Sequence, residues 1–178
     1  MEKETVKKLL SKFYIEYHNS NYKEAVLLLN GILLKEEEED FWIYSRLSSC
    51  HYELKDYEMA LFYAKKAYKL NPDSPLVLWD YAGVLIMLKK ERNAIELLKR
   101  IQNMSNDLTE HGFMDPDVKW MKSLKNDANF LIGKAYYLIC EDALSKIFLS
   151  NYLSNRESAL KSIYTREDAL LYLEKVGI

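Results

Sequence analysis

The sequence contains few residues that break helices. It has five glycines and three prolines in 178 residues, while hydrophobic residues make up 49% and charged residues 29%. This composition is globular and tilted toward helix formers, and it excludes a disordered chain. At this length the chain suits one domain with a sizeable core.

An excess of positive charge is also missing. The 25 lysines and arginines are balanced by 27 acidic residues, which gives a formal net charge of -2. Because phosphate backbones require clustered basic residues, we expect no nucleic-acid partner. The stretch "MEKETVKKLL" also lacks the apolar core of a signal peptide, and no apolar run reaches membrane-spanning length, so we expect no membrane partner.

The chain has two cysteines, Cys50 and Cys140, far apart in the sequence and each among apolar residues. This arrangement predicts two buried, unpaired thiols rather than a disulfide or a metal site. It fits a reducing compartment, and we expect a nuclear or cytoplasmic protein.

One pattern recurs along the chain. The segments "NYKEAVLLLNGIL" (21 to 33), "LKDYEMALFYAKKAYKLNP" (54 to 72) and "ERNAIELLKRIQN" (91 to 103) align their alanines at Ala25, Ala60 and Ala94. About a dozen residues before each alanine lies another compact or core position, at Phe13, Ser48 and Ala82 respectively. A period near 34 residues predicts repeated helical hairpins, with repeats at about 6–40, 41–74 and 75–108.

Small residues have a steric role in such hairpins. Two antiparallel helices approach closely only where a side chain ends at Cβ, which explains the recurring alanines. Pro72, in "NPDSP", then ends the second helix, because proline lacks the amide donor and clashes with the preceding turn.

These repeats resemble the tetratricopeptide repeat (TPR). The middle unit matches best, because its residues stand where the family has an aromatic, a leucine, a small residue, two alanines and a proline: Tyr44, Leu47, Ser48, Ala60, Ala67 and Pro72. His51 and Ala64 depart from the pattern, since aromatic rings are usual there. The resemblance implies an all-α TPR superhelix, an α-solenoid of helical hairpins, over residues 1–178.

The period breaks after the third repeat. The polar segment at about 103–118 predicts a long loop, and residues 120–140 predict another first helix, with Gly133, Tyr136 and Tyr137 in the TPR pattern. No second helix follows at the expected distance.

Two capping boxes, Ser154 to Glu157 and Thr165 to Asp168, predict irregular C-terminal helices starting near 155 and 166 within 119–178. The ending "KVGI" favours a solenoid that continues in a longer protein.

Residues typical of catalysis are scarce. The chain has none of the GxGxxG, GxxxxGK[ST], HExxH, CxxC or GxSxG motifs, so we expect no enzyme, no cofactor, no metal and no small-molecule substrate. His111, Asp115 and Asp117 offer metal-ligand chemistry, but we interpret them as a solvated loop. The acidic run "KEEEED" at 35–40 is interpreted as a solvated connector, with a basic partner as the alternative.

In the TPR family the first helices of successive hairpins line a concave groove. The resemblance places the following residues there: Leu10, Tyr14, Tyr17, His18, Trp42, Ser49, Tyr52, Glu53, Trp79, Gly83, Ile86 and Met87. Chaperone-binding TPR proteins hold a peptide carboxylate in this groove, but here those places carry Leu10, Tyr14 and Leu76. An aromatic, apolar groove suits an amphipathic helix, unless its rings only pack between repeats.

The order of these segments is similar to the N-terminal TPR domain of scaffold subunits of the anaphase-promoting complex, a ubiquitin ligase of the cell cycle. It begins with "SKFYIEYHNSNYKEAVLLLN", continues with a polar excursion containing "GFMDPD" and returns to "NFLIGKAYYL". This resemblance implies a scaffold that forms homodimers and binds other protein subunits. The alternatives are a monomeric TPR adaptor for a helix or peptide and, without motif support, an enzyme built around His111.

Overall fold

A computed structural model describes residues 2–35, 39–106, 118–156 and 161–177. Within these residues every regular element is an α-helix. The chain divides into two compact units, Met1–Leu88 and Lys89–Ile178. The predicted single domain over 1–178 therefore stays a prediction, and each unit is described separately.

The described residues of the first unit form five helices. They are α1 (Glu2–His18), α2 (Tyr22–Leu33), α3 (Phe41–Glu53), α4 (Tyr57–Leu70) and α5 (Pro75–Met87). Helices α1 and α2 form one hairpin, α3 and α4 form the next, and α5 packs on both α3 and α4. The order and pairing confirm the predicted all-α hairpin architecture.

Local sequence explains where these helices begin and end. Asp40 caps α3 by accepting a hydrogen bond from the Trp42 N–H at 2.7 Å, and Asp56 caps α4 through the Met59 N–H at 3.3 Å. Helix α4 ends at Leu70, directly before the turn that contains Pro72. Pro75 opens α5, where its missing amide costs no helical hydrogen bond.

The small residues lie at the close contacts of the hairpins. Ala60 and Ser48 are fully buried, and the Ser48 hydroxyl donates a hydrogen bond to the Ala60 carbonyl at 2.9 Å. This bond fastens α3 to α4 at the point where their backbones approach. Five other residues assigned to repeat packing in this unit are also buried, namely Ala25, Tyr44, Leu47, Ala67 and Ala82, whereas Pro72, in the turn after α4, is exposed.

The second unit contains α6 (Glu91–Asn103), α7 (Val118–Leu138), α8 (Asp142–Ser154) and α9 (Arg166–Lys175). Helix α7 packs against both α6 and α8, and α9 packs mainly on α8. Ala94 is fully buried in α6. Thr165 and Asp168 form the predicted capping box, because each side chain accepts a hydrogen bond from the other residue's backbone N–H.

Helices α7 and α8 form a hairpin that the sequence analysis missed. We predicted no second helix at the expected distance, and this prediction is wrong, because α8 starts at Asp142 after a short turn. The fourth residue of α8, Ser145, occupies the place that alanine holds in α2, α4 and α6, and it is fully buried. Ser145 lies a dozen positions after Gly133, which is the spacing between Ser48 and Ala60.

Two other predictions about the second unit need correction. Ser154 is the last residue of α8, and no helix starts at residues 155 and 156, near the predicted start at 155; residues 157–160 lie outside the described residues. Cys140 is exposed, whereas Cys50 is buried as predicted. Cys140 occupies the turn after α7, where its backbone is left-handed at φ 59°, so it lies at the surface despite its apolar neighbours.

That left-handed turn recurs between the paired helices. Ser20, Lys55 and Cys140 have φ values of 60°, 61° and 59°. In each case the next residue's N–H donates to the carbonyl five positions earlier, at 2.9 Å. This pattern closes the first helix of a hairpin and reverses the chain.

Candidate protein-binding groove

The predicted groove residues lie on α1, α3 and α5, all within the first unit. Leu10 and Tyr14 of α1 and Trp42 of α3 line one open pocket of about 320 Å³. The remaining walls are formed by Ile32, Asp40 and Ile43. The structure therefore brings together three of the residues that the sequence analysis placed in the groove.

Trp42 contacts both a buried ring and a solvent-exposed ring. Its indole packs edge-on against the buried Phe13 ring, with the ring centroids 5.8 Å apart. The Tyr14 ring lies 6.1 Å from Trp42 and is 49% exposed. Tyr14 thus both contacts Trp42 and is accessible to solvent.

Polar contacts fix the next part of the groove. The Tyr17 hydroxyl and the Ser49 hydroxyl share a hydrogen bond of 3.0 Å that links α1 to α3. Burial raises the pKa of Tyr17, so this phenol stays neutral at physiological pH. His18 is exposed at the end of α1, with its ring edge-on to Tyr17.

Helices α3 and α5 meet around Tyr52. A Cβ added at Gly83 would lie 3.9 Å from the Tyr52 ring, so the two residues are neighbours across the helices. Glu53 is exposed, Met87 is 40% exposed and Trp79 is half-buried. Ile86 is buried at 6% exposure, which makes it poorly placed to contact a partner.

A partly buried charge pair near the groove was missed by the sequence analysis. An Nη atom of Arg46 lies 3.9 Å from a carboxylate oxygen of Asp80, and the Ser45 hydroxyl donates to the same oxygen at 2.5 Å. Burial raises the pKa of Asp80, while Arg46 and the Ser45 hydrogen bond lower it. The sequence could have pointed to this pair, because Asp80 is the single charged residue in the otherwise uncharged α5.

Among the residues that the structure describes, no three His, Cys, Asp or Glu side chains are grouped so as to hold a metal ion. His111, Asp115 and Asp117 fall outside the described residues, as do Glu36 to Glu38 of the acidic run. In the parts of the chain that the structure describes, no helix is both long and apolar enough to cross a membrane.

Comparison with known proteins decides the fold. A family model described as subunit 3 of the anaphase-promoting complex, or cyclosome, matches residues 18–101, a little under half of the chain. MamA from Desulfovibrio magneticus RS-1, a TPR-type structure, superposes with a TM-score of 0.66 over 96% of this chain and 92% of its own, at 15% identity. The chain has a TPR fold.

A second TPR structure supports the same conclusion. The apo form of RapI superposes with a TM-score of 0.71 over 97% of this chain, at 16% identity, and this chain spans 62% of RapI's length. No curated protein matches the sequence significantly. Proteins with the TPR fold are generally non-catalytic scaffolds that bind other proteins or peptides.

Proposed function

We propose that this chain is a non-catalytic, homodimerising scaffold domain of an anaphase-promoting complex subunit, acting in a cell-cycle ubiquitin ligase in the nucleus or cytoplasm. The family match over residues 18–101 supports the complex, because it covers most of the first unit and α6. The groove on α1, α3 and α5 is the proposed contact surface for a second copy and for other protein subunits.

The accessible aromatic surface of the first unit carries this proposal. Tyr14 exposes 49% of its surface beside Trp42 at an open pocket, and Met87 exposes 40% at the end of α5. Exposed aromatic and apolar side chains in a concave surface are typical anchor points for a protein partner. A second copy of the chain is the simplest occupant, because it is present wherever the groove is present.

Light scattering coupled to size exclusion, over a dilution series, tests homodimerisation. We expect a mass of twice 21.0 kDa for the wild-type chain. Tyr14→Glu and Trp79→Glu should shift the equilibrium toward the monomer, because each places a charge in the apolar contact. Trp120→Glu, which changes a 37% exposed tryptophan on α7 outside the groove, is the matched control and should remain dimeric.

Circular dichroism of each variant separates a lost interface from a lost fold. Tyr14→Glu is the more informative variant, because Tyr14 is half exposed and its replacement leaves the Phe13 contact with Trp42 in place. A wild-type chain that stays monomeric at every concentration would refute homodimerisation. It would favour the monomeric adaptor that binds a helix of another protein.

A further inference from the structure

The pocket on the first unit combines two chemical environments. Leu10, Ile32 and Ile43 supply aliphatic walls, and Tyr14 and Trp42 supply two rings 6.1 Å apart. Asp40 is the single charged residue among the six that line it. A pocket of about 320 Å³ has room for one long side chain of a partner.

Asp40 is held in place by its own helix. Its Oδ1 accepts the Trp42 N–H at 2.7 Å, which fixes the carboxylate at the start of α3, while the side chain remains exposed. Because the side chain is exposed, a ligand can reach the carboxylate. An apolar side chain filling the pocket would remove water from this charge without replacing its hydrogen bonds, which is unfavourable.

The sequence around Asp40 is acidic. Asp40 is the last of five consecutive acidic residues, Glu36 to Asp40, preceded by Lys35. The nearest arginine along α3 is Arg46, whose charge is already paired with Asp80 at 3.9 Å. The one formal charge among the residues that line the pocket is thus negative, and it favours a cation over an anion.

We propose that this pocket binds the side chain of a lysine on the partner protein. The aliphatic stem of the lysine lies against Leu10, Ile32 and Ile43, and its ammonium group pairs with Asp40 beside the rings of Tyr14 and Trp42. The inference rests on the proposed protein-binding role of the groove, but it does not require that the partner be a second copy.

Three small probes of equal chain length test the charge preference. Hexylammonium, hexanol and hexanoate are titrated into the ¹⁵N-labelled full chain, and the indole N–H signal of Trp42, assigned by its loss in Trp42→Phe, reports binding. We expect hexylammonium to bind about threefold to tenfold more tightly than hexanol, as for a partly exposed ion pair next to aromatic rings. Hexanoate should bind most weakly.

Asp40→Asn isolates the contribution of the charge. Asparagine caps a helix about as well as aspartate, so α3 keeps its first turn. In this variant hexylammonium and hexanol should bind equally, while hexanol binds as in the wild type. Asp56→Asn, the same change at the N-cap of α4, is the control and should keep the wild-type preference.

Several outcomes would overturn the proposal. Equal binding of hexanol and hexylammonium to the wild type would mark a purely apolar pocket, and tighter binding of hexanoate would point to an acidic anchor near Arg46. The absence of any saturable shift at protein concentrations where the chain is monomeric would also refute it. Because dimer mass is measured separately, a monomeric chain with an intact ammonium preference would refute homodimerisation alone.

Discussion

Asp127 is the buried acid that fastens the C-terminal segment to α7. It is 5% exposed, and it accepts hydrogen bonds from the Ser162 hydroxyl at 2.5 Å and from the Ile163 N–H at 3.2 Å. The Ser162 hydroxyl also contacts the Tyr152 hydroxyl at 2.9 Å. Burial raises the pKa of Asp127, and the two hydrogen bonds oppose this effect without cancelling it.

This pKa shift predicts how the stability of the chain depends on pH. Because the pKa of Asp127 is higher in the folded than in the unfolded chain, its contribution is fully present below about pH 4 and declines as pH rises through the folded pKa. The free energy of unfolding of wild type relative to Asp127→Asn should therefore fall as pH increases from 4. Urea unfolding at several pH values, followed by circular dichroism, measures it.

Ser162→Ala provides the second variant for this prediction. Losing the Ser162 hydrogen bond removes one of the interactions that lower the pKa of Asp127, so this pKa should rise further. The free energy of unfolding should then continue to fall up to a higher pH than in the wild type. A relative stability that stays constant with pH, or increases with it, would contradict the assignment of burial as the dominant cause.

At the scale of helices, glycine has opposite roles in α5 and α7. A Cβ added at Gly133 would lie 2.7 Å from Cγ of Leu149 and 3.1 Å from its backbone nitrogen. Helices α7 and α8 therefore approach at a distance that only glycine permits. At Gly83 in α5 the nearest atom to an added Cβ, in the Tyr52 ring, is 3.9 Å away, which is an ordinary contact.

Matched substitutions test this difference. Gly83→Ala should stabilise the chain by about 0.5–1 kcal/mol, because alanine favours the helix interior. Gly133→Ala should destabilise it by about 1–3 kcal/mol, because α7 and α8 must separate. Thermal and urea unfolding of both variants measure the effects, and a stabilised Gly133→Ala would contradict the close approach.

The same positions show what the sequence could predict about the fold. The recurring alanine, which is the fourth residue of α2, α4 and α6, is sufficient to identify the second helices of three repeats. Ser145 has a similar size and the same place in α8, but a search for alanine at a constant period misses it. The physical signal for the fourth hairpin is a small residue of any type a dozen positions after Gly133.

The candidate groove was less predictable than the fold. The TPR pattern selected Leu10, Tyr14 and Trp42, which meet at one pocket, but it also selected Ile86, which is buried. Repeat patterns specify which helix face is turned inward and not how deeply each side chain packs. The pairing of Arg46 with Asp80 depends on two helices distant in sequence, so local patterning does not reveal it.

At the scale of the whole molecule, homodimerisation predicts a concentration-dependent melting temperature. If the folded chain associates and the unfolded chain does not, the wild-type melting temperature should rise by a few degrees for each tenfold increase in protein concentration. Tyr14→Glu should largely remove this dependence. Differential scanning calorimetry over three concentrations measures it, and a constant wild-type value would argue against the dimer.

The contrasting environments of the two cysteines make the natural chain suitable for labelling. Burial raises the pKa of the Cys50 thiol to about 12, so a maleimide dye at neutral pH meets almost no thiolate there. Cys140 is exposed at the turn between α7 and α8. A fluorophore therefore attaches to the second unit without mutagenesis, and energy transfer between labelled copies becomes a direct assay of assembly.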